Sequence, residues 1–240
     1  MKIIIFAGTT EGRQLAEQYA GAGDSVVACV TGTYARRLIP ASIPCHVGPM
    51  NAVEIKAFLQ REKPDRVIDA THPFAALVTK NVRAACEALM IPIERIERED
   101  SKSAFWANSV EWAEDTRAAV DAVRKTQGRV LLTTGSHTLP QYCAEIPPDR
   151  LYVRVLPTSR ALLACEALGL PPGHVLAMQG PFTAAFNAAL YDQLHISVMV
   201  TKDSGEPGGV EEKILPALQR NIHVILIHKP KEKNPCAEKT

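Results

Sequence analysis

The stretch KIIIFAGTTEGRQLAEQYAGAG, residues 2–23, decides the fold. Residues 2–7 form a first strand that is apolar throughout after Lys2, Gly8 opens a turn, and residues 10–20 place Leu15, Ala16, Tyr19 and Ala20 on one helical face before Gly21 and Gly23 stop it. A strand without polar alternation is the pattern of a parallel sheet covered on both faces. With Lys2 ahead of a short apolar run, the segment superficially resembles a secretion signal. The run ends within a few residues in Gly8, Thr9, Thr10 and Glu11, so it reads as a buried first strand.

The same βα rhythm continues outward. SVVACVT (25–31) is a second apolar strand, followed by a segment interrupted by Pro40 and Pro44 that leads to CHVG (45–48). Asn51 and Glu54 have capping-box spacing and open a helix that runs to Pro64. RVIDA (66–70) is a strand, THPF a turn, residues 75–89 a helix, and IPIERIE (91–97) a strand near a sheet edge. After the polar stretch 97–108 the pattern resumes with SVEWA, a helix over 115–126, and strands at 129–135, 151–157, 174–180, 196–201 and 223–228. Helices are expected over 159–168, 183–194 and 209–220, and the tail 231–240 has no core-forming pattern. Repeated βα units imply parallel sheets with right-handed crossovers. The expected organisation is α/β, with two doubly wound lobes in tandem: 1–108, then 109–230, then the polar tail.

Length and charge narrow the function. A chain of 240 residues with 46% hydrophobic residues can bury a real core. Its 27 Lys+Arg against 26 Asp+Glu lack the basic excess of a general nucleic-acid binder. No apolar run approaches the roughly 20 residues of a membrane span. The cysteines at 29, 45, 86, 143, 165 and 236 include no C-x-x-C pair and suit free thiols in a reducing compartment, so a cytoplasmic location is expected. No metal site emerges, since no histidine pairs at ligand spacing and Cys45-His46 stands isolated. Neither a G-x-S-x-G elbow nor a Walker A lysine loop is present.

The chemistry concentrates where strands end, the edge at which doubly wound sheets bind ligands. GTTEGR (8–13) combines small residues with a helix N-terminus, an arrangement that receives phosphate, and Arg13 can add a charge-assisted contact. A tight turn capped by Thr would account for the same letters. After the second strand the chain has no acid to take ribose hydroxyls; it offers Thr31, Thr33, Arg36 and Arg37, which suit the 2′-phosphate of NADPH or equally a solvated basic helix start. DATHPF (69–74) puts Thr71 and His72 in a turn, with Pro73 placed for the first turn of a helix and His72 able to donate a hydrogen bond or a proton. TTGSH (133–137), MQGPF (178–182) and TKDSGEPGG (201–209) repeat the theme. Arg154 sits inside an otherwise buried strand and needs an internal carboxylate or an acidic ligand as partner. Lys202 follows directly on another apolar strand.

GTTEGR, DATHPF, TTGSH, RVLP, QGPF and TKDSGEPGG, in this order, resemble the precorrin-6A reductase and cobalt-precorrin-6A reductase family, from Ile3 to Pro230. The resemblance implies two Rossmann-like lobes with the site in a cleft between them. It also implies hydride transfer from a reduced nicotinamide, NADPH or alternatively NADH, to a double bond of a corrin-ring precursor. It assigns Gly8, Thr9, Thr10, Gly12 and Arg13 to the cofactor phosphates, and turns Thr71, His72 and Pro73 toward the cleft, with Thr134, Gly135 and Ser136. Arg154, Gln179, Lys202, Ser204 and Gly205 fall in the second-lobe motifs. The substrate's many carboxylates call for cationic donors, for which Arg154 and Lys202 lead and Arg160 follows. A different NAD(P)-dependent oxidoreductase, or a nucleotide-binding module without catalysis, are the competing readings. The first would carry a Tyr and Lys about one helical turn apart near the site, and no such pair occurs.

Overall fold

Ile3, Ile4 and Ile5 are all completely buried, and they face opposite ways. In a computed structural model, which describes residues 1–97, 104–205 and 208–230, they lie on β1 (Lys2–Ala7). Ile3 and Ile5 pack with Leu15, Ala16 and Tyr19 of α1 (Thr10–Gly21). Ile4 and Phe6 pack with Ile55, Phe58 and Leu59 of α3 (Ala52–Glu62) and Val82 and Cys86 of α4 (Ala76–Leu89). Helices on both faces therefore explain why the strand is apolar throughout. Each fully buried side chain of this size contributes about 1.5–3 kcal/mol.

The described residues separate into two compact units, one holding 1–97 and the other 104–205 with 208–230. In the first, β1 is joined by β2 (Ser25–Val30), β3 (Cys45–Val47), β4 (Arg66–Ala70) and β5 (Ile93–Arg95) in the order β3-β2-β1-β4-β5. Every pairing is parallel. The Asn51–Glu54 capping box forms as expected. A short helix, α2 (Thr33–Arg36), follows β2.

The second unit carries β6 (Glu111–Ala113), β7 (Arg129–Leu132), β8 (Leu151–Val155), β9 (Val175–Ala177), β10 (Ile196–Lys202) and β11 (His223–Ile227). Their order is β6-β11-β10-β7-β8-β9, again all parallel. Its helices are α5 (Thr116–Arg124), α6 (Leu139–Cys143), α7 (Ser159–Ala167), α8 (Ala184–Leu194) and α9 (Glu211–Leu218). Asp115, Thr158 and Thr183 cap α5, α7 and α8 with side-chain oxygens. Leu131 and Met199 of the sheet pack with Tyr191, Ile214 and Ala217 of the helices, and Trp106 and Ala107 join this core. Several strands stop sooner than their apolar letters suggest: β7 ends at Leu132, and Gly135 has left the extended region with φ +84. The sequence reading of 231–240 as a polar tail lies outside the described residues.

Candidate functional site

Each sheet has one place where the strand order reverses. In the first unit it lies between β1 and β4, since the chain leaves β1 toward β2 and returns on the other side. In the second it lies between β7 and β10. Loops beyond the carboxyl ends of such strand pairs are where doubly wound sheets bind ligands. Gly8 to Arg13, Thr71 to Pro73, Thr134 to Ser136 and Lys202 to Gly205 occupy these positions.

In the first unit the two loops are fastened to each other. Thr9 caps α1, accepting from the Gly12 N–H at 3.2 Å while its hydroxyl donates to the Ala70 carbonyl at 3.0 Å. A β-carbon on Gly12 would lie 2.9 Å from Ala7 Cα and 3.1 Å from Ala70 Cβ, so only glycine lets α1 start this close to the sheet. The helix thus presents its unpaired N–H groups directly above β1. Arg13 points its guanidinium toward Glu17 at 3.8 Å, and its Nε has no hydrogen-bond partner.

Thr71 and His72 lie in the turn after β4. The Thr71 hydroxyl oxygen is 2.9 Å from Arg95 Nη1 and 3.2 Å from Thr79 Oγ1, and the Thr71 N–H donates to Asp69 Oδ1 at 3.0 Å. The Phe74 N–H donates to His72 Nδ1 at 3.2 Å, which places the proton of a neutral His72 on Nε2. Pro73 lies ahead of α4 and not in its first turn, because the Ala75 N–H closes a turn onto the His72 carbonyl at 2.8 Å. Thr31 and Arg37 are exposed. Arg36 folds back on its own loop, donating to the carbonyls of Ile39 at 2.8 Å and Pro40 at 3.4 Å.

In the second unit the Thr134 hydroxyl pairs with Thr138 at 2.8 Å, and positive φ at Gly135 directs the chain into the short turn Ser136–Thr138. Arg154 on β8 is 7% exposed. Its Nη1 donates to Asn187 Oδ1 at 2.7 Å, and its guanidinium lies 4.6 Å from the Phe182 ring centroid. Burial lowers its pKa. Lys213, on α9, donates to the Gly208 carbonyl at 2.8 Å, and its pKa falls to about 8 through burial first and the Arg154 charge second. Among the described residues neither cation has an ion-pair partner. Burial lowers the Lys202 pKa as well. Asp203 and Ser204 are buried, and the Gly205 N–H is 3.4 Å from Asp203 Oδ1. Gln179 and Arg160 are exposed.

The sequence reading did not single out Asn187 or Lys213. The available signal was a lone amide in the apolar run AAFNAALY; Lys213, after two glutamates, reads as an ordinary solvated helix start. Among the described residues no group of His, Cys, Asp or Glu could hold a metal ion, and no helix is long and apolar enough to cross a membrane. Among the described residues five cysteines are free thiols, and burial raises the pKa of each.

Two parallel sheets with glycine- and hydroxyl-bearing loops at their reversal points define a Rossmann-like α/β protein. A family model described as precorrin-6x reductase CbiJ/CobK matches residues 2–240. The chain belongs to that family, and it is an oxidoreductase of cobalamin biosynthesis. Enzymes of the family use a nicotinamide cofactor. A cobalt-precorrin-6A reductase of Priestia megaterium is 35% identical over 233 residues, covering 95% of this chain and 91% of the relative. The enzyme of that name from Salmonella typhimurium is 33% identical over 231 residues, covering 95% and 87%. A solved structure, CobK precorrin-6A reductase, matches with a TM-score of 0.79 at 27% identity, over 96% of this chain and 89% of that one.

Proposed function

We propose that this chain reduces one carbon–carbon double bond of precorrin-6A, or of its cobalt-containing form, to the corresponding precorrin-6B. In this reading the first lobe holds NADPH and the second holds the tetrapyrrole. The observation that carries it is the pair of desolvated cations, Arg154 and Lys213, set among an amide, a carbonyl and an aromatic ring. Among the described residues these like charges have no ion-pair partner, and burying them so is costly, which supports an anionic ligand as their partner. A ring fringed with carboxylates is such a ligand.

The residues of the first lobe fit a dinucleotide. Gly8, Thr9, Thr10 and Gly12 form a helix start that a phosphate can approach, and Arg13, held only by Glu17 at 3.8 Å, can meet its charge. Thr31, Arg36 and Arg37 form the loop for the 2′-phosphate, with Arg36 shaping it through carbonyl contacts and exposed Arg37 carrying the charge outward. Thr71 and Pro73 complete the wall, and His72 holds its proton on Nε2 toward the reacting groups. A bound reduced nicotinamide supplies the hydride. The chain's own part is orientation and exclusion of water: Thr134, Gly135, Ser136, Gln179, Ser204 and Gly205 shape the tetrapyrrole site, and Arg154 and Lys202 fix carboxylates. NADH is the second reading for the donor, favoured by the commitment of Arg36 to backbone carbonyls.

Anaerobic incubation with precorrin-6A, metal-free and cobalt-loaded, tests the proposal by following NADPH and NADH absorbance separately. Oxidation that depends on one of the two rings is the expected result. No consumption with either ring would overturn the assignment.

A further inference from the structure

Arg95 ends β5, the edge strand of the first sheet, yet its side chain is only 12% exposed. Its Nη1 approaches four acceptors, all on two residues: Asp69 Oδ1 at 2.8 Å, the Asp69 carbonyl at 3.3 Å, the Thr71 carbonyl at 3.1 Å and Thr71 Oγ1 at 2.9 Å. Asp69 is fully buried at the end of β4, and its Oδ1 also receives the Thr71 N–H. Its Oδ2 has no hydrogen-bond partner, so Arg95 carries the compensation of a buried carboxylate.

The bond directions have a consequence for Thr71. A guanidinium can only donate, so Thr71 Oγ1 accepts from Arg95, and the same oxygen shares a hydrogen bond with Thr79 Oγ1, 3.2 Å away on α4. That hydroxyl is occupied in holding the turn to α4. The turn in turn supports the loop after β1. A β-carbon on Gly8 would touch the Thr71 Cα and His72 N at 3.4 Å each, and the Thr9 hydroxyl rests on the Ala70 carbonyl. A residue at the sheet edge is thereby connected to the start of α1 through one continuous set of contacts.

We infer that Arg95, acting through Asp69 and Thr71, is a positioning residue for nucleotide binding: it fixes the turn against which the Gly8–Arg13 loop is seated. The inference rests on the reading of the first lobe as the nucleotide site. A purely structural ion pair would affect stability alone, and two variants separate the possibilities. Arg95→Met strands a buried carboxylate and lowers the unfolding temperature sharply. Asp69→Asn combined with Arg95→Met removes both charges while keeping an acceptor for the Thr71 N–H, so its unfolding temperature returns toward wild type. NADPH binding is then read by fluorescence titration without tetrapyrrole, alongside KM values for both substrates. The double variant is expected to bind NADPH about tenfold more weakly, the worth of roughly one charge-assisted hydrogen bond, with the tetrapyrrole KM unchanged. Wild-type affinity for NADPH in the stable double variant would overturn the inference while leaving the nucleotide reading intact. A wild-type protein that bound neither NADPH nor NADH would overturn both.

Discussion

Arg154 meets Asn187 at 2.7 Å inside the second lobe, an amide standing where a carboxylate is the usual partner of a buried guanidinium. The choice is imposed from the other end of the side chain. Asn187 Nδ2 donates to the Thr183 carbonyl at 3.1 Å and the Glu212 carbonyl at 2.9 Å, tying α8 to α9. A carboxylate has no proton to give those two oxygens. The arginine is therefore oriented without being neutralised among the described residues, which leaves its charge open to the ligand proposed above.

Replacing Asn187 by Asp tests this directly. The new oxygen faces two carbonyls, and the new charge cancels Arg154. Asn187→Asp is expected to lose about 1–3 kcal/mol of stability through the stranded acceptors, and to raise the tetrapyrrole KM about tenfold while the nucleotide KM stays put. Thermal unfolding and steady-state kinetics with each substrate varied in turn check both parts. An unchanged tetrapyrrole KM would remove Arg154 from the carboxylate site.

Gly12 and Gly21, both in α1, separate two meanings of glycine. At Gly12 a methyl group would press on the backbone of Ala7 at 2.9 Å, which has no room to yield. Gly12→Ala is expected to cost about 1–3 kcal/mol and to weaken nucleotide binding by lifting the start of the helix. At Gly21 nothing lies within 4 Å of the added carbon. There the same change is expected to be neutral or to stabilise by up to about 1 kcal/mol. Denaturant unfolding of the two variants, side by side, measures the contrast.

What was legible in the sequence, and what was not, follows the range of the interactions. The unbroken apolar run over residues 3–7 announced helices on both faces of β1, and Asn51 with Glu54 announced a cap, because each rests on residues close in the chain. The placement of β4 beside β1 comes from pairing across more than sixty residues, Ile3 against Arg66, and no local pattern encodes it. The strand-end loops were visible as candidate sites. Their internal hydrogen bonds were not: Arg36 turns back on Ile39, and Arg154 finds its partner on α8. Helices as short as α2 and α6 carry too few residues for a periodic signal.

Lys213 predicts a pH dependence with opposite signs for stability and for binding. Its pKa of about 8 in the fold lies below the ordinary lysine value of 10.5. The unfolded chain therefore holds more protons than the native state between about pH 8 and 10.5, so this lysine makes the protein more stable as pH rises through that window. Below about pH 8 both states are charged and its burial counts fully against the fold. Binding goes the other way, since a neutral Lys213 no longer attracts carboxylates and the tetrapyrrole KM climbs above about pH 8. Lys213→Met should abolish that rise and stabilise the protein at neutral pH. A wild-type profile flat from neutrality to about pH 9 would exclude the lysine from the site.

In the proposed reading Arg13 and Arg37 meet the two ends of the nucleotide. Arg13 stands at the start of α1, where a pyrophosphate common to NADPH and NADH would lie, with its Nε 3.8 Å from Glu17 and without a hydrogen bond. Arg13→Ala is therefore expected to raise the KM for both nucleotides by about tenfold. Arg37 is exposed in the loop after β2, where NADPH alone has a phosphate to offer. Arg37→Ala should raise the NADPH KM to a similar extent and leave the NADH KM unchanged, removing the preference between donors. Kinetics of the two variants with each donor, at a fixed concentration of tetrapyrrole, give four ratios. Equal losses for NADPH and NADH in Arg37→Ala would move the 2′-phosphate away from this loop, because a charge that reads only that group cannot affect a nucleotide lacking it.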